Sequence, residues 1–157
     1  MIIDSALLDR LSEEAKASPR LRMNFDLRTS PEDSSQRMLN AMEPETVVPV
    51  HRHRLTSEVV VMLRGSGMQY FYDDEGNMTE SVLLEAPVCG DGHIRKSFGA
   101  DGSIPCQMIS VEPGRWHRLV SLESGTVIYD TKDGAFVPLE EDDVLSIGRR
   151  DSSLPAR

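Results

Sequence analysis

The chain is poor in aromatic residues, with one Trp, three Tyr and four Phe among 157 residues. A core built from it must rest on Val, Leu, Ile and the eight Met. Cysteine is scarcer still. Cys89 and Cys106 are too few for a disulfide scaffold, and they read as two free thiols, with a redox or metal role for the pair as the alternative. Long apolar runs are missing too: Val59 to Leu63 is the longest, far below the roughly 20 residues of a membrane helix. The first residues carry Asp4 where a secretory leader would carry bases, and no long apolar stretch follows. The expected location is therefore the cytoplasm. Positive charge is in deficit, with 17 Lys and Arg against 26 Asp and Glu and a formal net charge of −9. That excludes nucleic acid or an anionic membrane as a partner held by a generally basic surface. A local basic pocket stays open.

What is present is punctuation. Eleven Gly and nine Pro divide the chain into short segments. Asp4 to Ala17 reads as a helix, with Leu7, Leu8 and Leu11 at helical spacing, acids early and Lys16 late. Ser18-Pro19 ends it. Arg20 to Arg28 alternates Leu21, Met23, Phe25 and Leu27 with polar residues, the signature of a half-buried strand. Further strands are expected over Gln36 to Met42, Val47 to His53, Ser57 to Arg64, Met68 to Tyr72, Thr79 to Ala86, Gln107 to Val111, Trp116 to Leu122 and Thr126 to Thr131. Turns are expected at Gly65-Ser66-Gly67, Asp73 to Asn77, Glu112 to Arg115, Glu123 to Gly125 and Lys132-Asp133-Gly134. About nine short strands with Gly/Pro turns between them imply an all-β protein, an antiparallel sandwich or small β-barrel with one N-terminal helix. Residues 1–145 form the expected single domain. Residues 87–105 lack a regular pattern, and 146–157 read as a solvated, frayed tail.

Histidine is rare, and its placement carries the chemistry. Three of the four histidines fall in His51-x-His53-x4-Glu58-x6-Gly65 and, downstream, Pro113-Gly114-x-x-His117. On a strand, His51 and His53 point the same way, two residues apart. Glu58 enters from the next strand, and a Pro-Gly turn delivers His117. An isolated His-x-His is weak evidence, but three imidazoles and a carboxylate converging on one cavity form a ligand set for a divalent transition metal, Zn, Fe, Ni, Mn or Cu. Glu58 either completes the coordination or serves as a base.

Other polar residues have a functional and a plain reading. Arg22, Arg37, Arg52, Arg54 and Arg64 surround the metal strands in sequence, and Arg37 or Arg54 could recognise an anion through a guanidinium fork; outward-facing arginines on a solvated sheet are the plain reading, favoured by parity for Arg52. Gln36 and Asn40 share a strand face as donors to a ligand. Tyr70 and Tyr72 alternate on one face, either at the cavity mouth or in the core. His93, Arg95 and Lys96 could form a lid over the site or simply a basic loop. Trp116, of opposite parity to His117, is expected outside the cavity.

At these histidines the chain resembles the cupin superfamily, whose motifs are Gly-x5-His-x-His-x3/4-Glu-x6-Gly and Gly-x5-Pro-x-Gly-x2-His-x3-Asn. The first matches at His51, His53, Glu58 and Gly65, with Glu45 in place of its opening glycine. The second matches at Gly114 and His117; Cys106 replaces its first glycine, the proline is displaced to Pro113 and Ser121 stands for the asparagine. These departures touch turn geometry and leave the ligands intact. Ser18 to Asn24, Gln36 to Ala41 and Pro49 to Arg54 make the chain similar, over roughly residues 3–137, to the WbuC-family cupin metalloproteins. The resemblance implies a double-stranded β-helix, jelly-roll-like, with the metal held by His51, His53, Glu58 and His117. It also implies a bacterial protein associated with surface-polysaccharide genes, whose reaction is not established.

The expected function is accordingly that of a metal-binding cupin that binds or acts on a small anionic or sugar-derived molecule. Isomerisation or epimerisation and non-haem oxygenation use the same ligands. A non-catalytic, metal-dependent sensor and a purely structural metal are the alternatives. A homodimer is expected, because a small barrel has sheet edges to cover.

Overall fold

The computed structural model describes residues 1–87 and 106–146. Helix α1 (Ser5–Ala17) starts at Asp4, whose side chain accepts a hydrogen bond from the Leu7 N–H at 3.0 Å. Such a cap satisfies one of the free donors of the first turn. Leu7, Leu8, Leu11 and Ala15 face one way and pack on Leu39, Ala41 and Val127.

Among the described residues ten strands follow, β1 (Arg22–Asp26), β2 (Ser35–Met42), β3 (Val50–His51), β4 (Glu58–Arg64), β5 (Ser66–Tyr72), β6 (Met78–Glu85), β7 (Met108–Val111), β8 (Trp116–Ser121), β9 (Thr126–Asp133) and β10 (Val144–Leu145). They form two five-stranded sheets, ordered β1-β2-β9-β4-β7 and β10-β3-β8-β5-β6, with antiparallel pairing throughout. The architecture is the expected all-β jelly roll. Helix α1 covers the outer face of the first sheet through Leu39, Ala41 and Val127, while Met42, Val60, Met62, Leu84, Leu119 and Ile128 fill the space between the sheets. On the far face of the second sheet Val50, Tyr72 and Trp116 make a third cluster, with Tyr70 and Leu145 against it.

The expected and observed elements differ at four places. Strand β3 is confined to Val50–His51, not Val47 to His53, because Pro49 has no N–H to enter a ladder. Beyond it the Arg52 N–H goes to the Asp143 carbonyl and the His53 carbonyl accepts from the Gly114 N–H. The turn expected at 65–67 is made by Gly65 alone, at φ 76°. Ser66 and Gly67 already belong to β5. Strand β9 runs on to Asp133, so Lys132 lies in a strand rather than a turn. Finally, the acidic segment forms a 3-10 turn, Glu141–Asp143, and leads into β10, which pairs with β3. The readings that concern Cys89, His93, Arg95, Lys96 and the tail lie outside the described residues. Cys106 is exposed and free.

Gly65 separates two reasons for being glycine. A Cβ there would lie 2.5 Å from Thr126 Oγ1 and 3.0 Å from Thr126 Cα, whereas one on Gly114, at nearly the same φ, would meet nothing within 4 Å. Gly114→Ala should therefore cost only the left-handed backbone penalty, about 1 kcal/mol, and Gly65→Ala about 2–4 kcal/mol. Urea denaturation of both variants checks this; equal losses would mean that the Thr126 contact relaxes freely.

Candidate metal centre

The two sheets bring the four expected side chains together. His51 and His117 are direct cross-strand partners in the β3–β8 pair. His53 follows just beyond the ladder, held by the Gly114 N–H on its carbonyl at 2.7 Å. The second motif's turn thus fixes the end of the first. Glu58 opens β4 in the opposite sheet and is 6% exposed. One nitrogen or oxygen from each of His51, His53, Glu58 and His117 lies within 4.8 Å of the others. The ring centroids are 4.5 Å apart for His51–His117, 5.0 Å for His51–His53 and 5.6 Å for His53–His117.

The hydrogen bonds orient the rings toward a cation. His51 Nδ1 lies 3.0 Å from the Pro49 carbonyl and His117 Nδ1 lies 2.8 Å from the Arg115 carbonyl. A carbonyl only accepts, so each Nδ1 carries a proton and Nε2 is the ring atom turned inward. His117 Nε2 is nevertheless 2.7 Å from Glu58 Oε2. Two such atoms at that distance call for a positive charge between them, which a proton or a metal ion supplies. His53 Nε2 is buried without a hydrogen-bond partner and stands 3.7 Å from the same oxygen. Ligand atoms bonded to one ion at about 2.1 Å lie at most about 4.2 Å apart, so the cluster fits a metal once its widest-set atoms draw inward. Burial lowers the pKa of His51 and of His53 to about 4, aided at His51 by the charge of His117. Both are neutral at neutral pH, as ligands must be.

Glu58 is held from behind as well. Its Oε1 accepts from Lys132 Nζ at 2.8 Å, its register partner across β4–β9. Lys132 also reaches both Asp130 oxygens, at 2.8 and 3.0 Å. Burial works to raise the Glu58 pKa, but the hydrogen bond from His117 and the charge of Lys132 outweigh it and keep the carboxyl well below its usual range. Burial and the charge of Glu58 push Asp130 the other way, to about 7. Asn40 donates to Asp130 Oδ2 at 3.5 Å and accepts from Arg22 at 3.3 Å. A chain of polar contacts thus runs from the histidines to β1. Sequence reasoning missed Lys132 because Lys-Asp-Gly has the composition of a turn, and missed Asp130 because nothing local in its expected strand marks its partners.

A cavity of about 940 Å³ opens on the cluster. Gln36 and Asn40 line it, as their shared strand face requires, and Gln36 donates to the Ala135 carbonyl at 3.4 Å. Arg54 stands at its wall, paired with Asp143 at 2.5 Å. Arg37 has the opposite parity, sharing the helix-covered face with Leu39 and Ala41, and it pairs with Asp33 at 2.7 Å. Tyr70 packs beside Val50, Tyr72 and Trp116 on the far side of the second sheet, away from the cavity lining. Trp116 is on that face too, its ring under Arg52 at 4.2 Å. Arg52, for which parity favours a solvated outward side chain, also borders the cavity and pairs with Asp143 at 3.5 Å.

The family model described as "Domain of unknown function (DUF6016)" matches residues 3–84, a little over half the chain. The chain belongs to the DUF6016 family. The matched span contains His51, His53 and Glu58 and ends before His117. No curated protein matches this DUF6016 chain. Among solved structures, oxalate oxidase in complex with glycolate aligns at a TM-score of 0.54 and 10% identity, over 77% of this chain and 55% of that one. A conserved protein of unknown function from Streptococcus pyogenes, SPY1581, aligns at 0.52 and 9% identity, over 87% and 90%. The DUF6016 chain spans about half the length of oxalate oxidase. At such identities the likeness shows the fold alone, and that fold is the cupin jelly roll. Among the described residues, no helix is long and apolar enough to cross a membrane.

The Lys132 bonds generate a stability prediction. Lys132→Met removes the cation from a buried carboxylate pair and should cost about 3–5 kcal/mol, the usual penalty for orphaning a buried charge. Denaturation of chelator-treated protein measures it. A loss below about 1 kcal/mol would place these bonds in a solvent-screened environment.

Proposed function

We propose that the chain is a divalent-metal-binding cupin whose ion is held by His51, His53, Glu58 and His117, and which binds or acts on a small anionic or sugar-derived molecule in the cavity. The observation that carries this is the inward turn of the imidazoles: two Nδ1 atoms are committed to backbone carbonyls, His53 Nε2 has no hydrogen-bond partner, and Glu58 Oε2 stands among them. Among the described residues the donor set contains imidazole and carboxylate and no thiolate, which suits Zn, Fe, Ni or Mn. A bound ion there supplies Lewis acidity toward a carbonyl or hydroxyl oxygen.

The protein's own groups prepare the site. Lys132 occupies Oε1 of Glu58 and leaves Oε2 directed at the histidines. Both oxygens being engaged supports Glu58 as a ligand over Glu58 as a free base. Met42, Val60, Leu119 and Ile128 form an apolar part of the wall and limit water beside the polar cluster. Asn40 and Gln36 face the same space and are assigned to ligand contacts, as is Arg54 at the mouth. Arg37 and Tyr70 receive no ligand role, since neither borders the cavity.

The same reading takes residues 1–145 as one cupin unit of the WbuC kind, working in the cytoplasm as a homodimer. The WbuC resemblance rests on the sequence segments around Arg22, Arg37 and His51, and dimerisation rests on sheet edges that need cover.

Protein purified without an affinity tag or added metal should contain close to one divalent ion per chain by elemental analysis. His51→Ala and His117→Ala should each lose most of it, and the double variant nearly all, with far-ultraviolet circular dichroism unchanged. Stoichiometric metal in the double variant would falsify the assignment. The two reaction classes then separate by metal: an oxygenase consumes dioxygen with substrate in its iron form and not in its zinc form, whereas an isomerase or epimerase turns over in both.

A further inference from the structure

The cavity wall carries five cationic side chains, and three are already matched by acids. Arg52 and Arg54 both pair with Asp143, and Lys132 lies between Glu58 and Asp130. Arg20 and Arg22 border the same cavity with no carboxylate partner among the described residues. Arg22 is held only by neutral acceptors, Nε on Asn24 Oδ1 at 3.0 Å and one Nη2 hydrogen on Asn40 Oδ1 at 3.3 Å. Nη1 makes no hydrogen bond among the described residues, and a fork of Nη1 and Nη2 matches the two oxygens of a carboxylate. The backbone supports the placement. Leu21 sits in the left-handed region at φ 53°, its carbonyl accepting from Thr46 Oγ1 at 2.5 Å and from the Glu43 N–H at 3.0 Å. This bend lies between the two arginines, an uncommon conformation for a residue with a side chain.

A second independent feature is Gln69. It lines the cavity, is 1% exposed, and neither its amide nitrogen nor its amide oxygen has a hydrogen-bond partner among the described residues. A buried amide with both groups unmet costs stability unless something binds there. It offers one donor and one acceptor together, which is what a hydroxyl group, itself donor and acceptor, satisfies.

We propose that the cavity takes a small hydroxy carboxylate, its carboxylate on the guanidinium fork of Arg22 with Arg20 adding positive field, and a hydroxyl on the amide of Gln69. This rests on the reading of the cavity as a ligand site and names the ligand's chemical class. A monoanion is favoured over a phosphate dianion because Glu58 and Asp130 already place acidic groups in the same wall.

Ligand-observed NMR on the full chain, metal-free and zinc-loaded, with D-gluconate, glucose, hexanoate and inorganic phosphate at matched ionic strength, tests this. Gluconate should bind both forms more tightly than the other three. Arg22→Gln should weaken gluconate and hexanoate about 10- to 100-fold, Arg22→Lys should weaken them by an intermediate factor, and zinc uptake should be unchanged. Gln69→Leu should weaken gluconate and spare hexanoate. Should Arg22→Gln not fold, the lysine variant carries the comparison. Equal gluconate affinity in the arginine variants, no gluconate binding to either form, or tighter phosphate binding through Arg22 overturns the proposal. Zinc binding is scored separately: Arg22-dependent gluconate binding without zinc uptake removes the metal reading and keeps this one, and zinc uptake without gluconate binding does the reverse.

Discussion

The carboxylate of Glu58 is the contact on which the site depends, because it joins the two sheets at their polar end. It belongs to β4 of one sheet, yet Oε2 meets His117 of the other while Oε1 is held by Lys132 from its own neighbour strand. A buried carboxylate is unfavourable unless its lone pairs are met by donors or cations. Here both oxygens are met, and the charge is fixed at one point between the sheets. The apolar filling of Met42, Val60, Met62, Leu119 and Ile128 continues where this polar cluster ends. The barrel thus has a dry end and a charged end, and the cavity opens on the second.

Much of this followed from parity along single strands. Leu7, Leu8 and Leu11 located the helix, and alternation located β1. The spacing of His51, His53, Glu58 and His117 contained the cluster, since residues two apart on a strand share a face. What local pattern does not hold is who lies opposite. Lys132 follows Thr131 and precedes Asp133-Gly134, a composition that signals a turn, yet its pairing with Glu58 extends β9 through it. Strand β10 is two residues long, too short for any periodicity, and only its pairing with β3 defines it. The same limit explains Arg37 and Arg22. Both are arginines near the histidines in sequence, but only Arg22 has the parity that meets the cavity.

Electrostatics also divides in a way that net charge conceals. A chain of formal charge −9 has little general attraction for anions, so any anion specificity must come from a local concentration of cations. The cavity wall provides one. Asp143, on the turn before β10, pairs with Arg52 and Arg54 and so reduces the share of these two arginines in that field. Their guanidiniums are fixed beside the mouth, with Arg52 stacked on Trp116.

The division of labour has a chemical consequence. Imidazole nitrogens and one carboxylate offer a metal little net negative charge, and Lys132 reduces it further. An ion of charge +2 held there keeps most of its own charge for an oxygen ligand, in contrast to a thiolate-saturated site. Beside it, Arg22 and the unpartnered amide of Gln69 mark two other points at which a small polar molecule gains specific contacts. Orientation in a pocket of this size requires several such points, because apolar walls fix position poorly for a flexible polar ligand. With an ion bound, three anchors of different chemistry, a Lewis acid, a guanidinium and an amide, would distinguish the two ends of a ligand from its middle. A purely structural metal would need none of the other two.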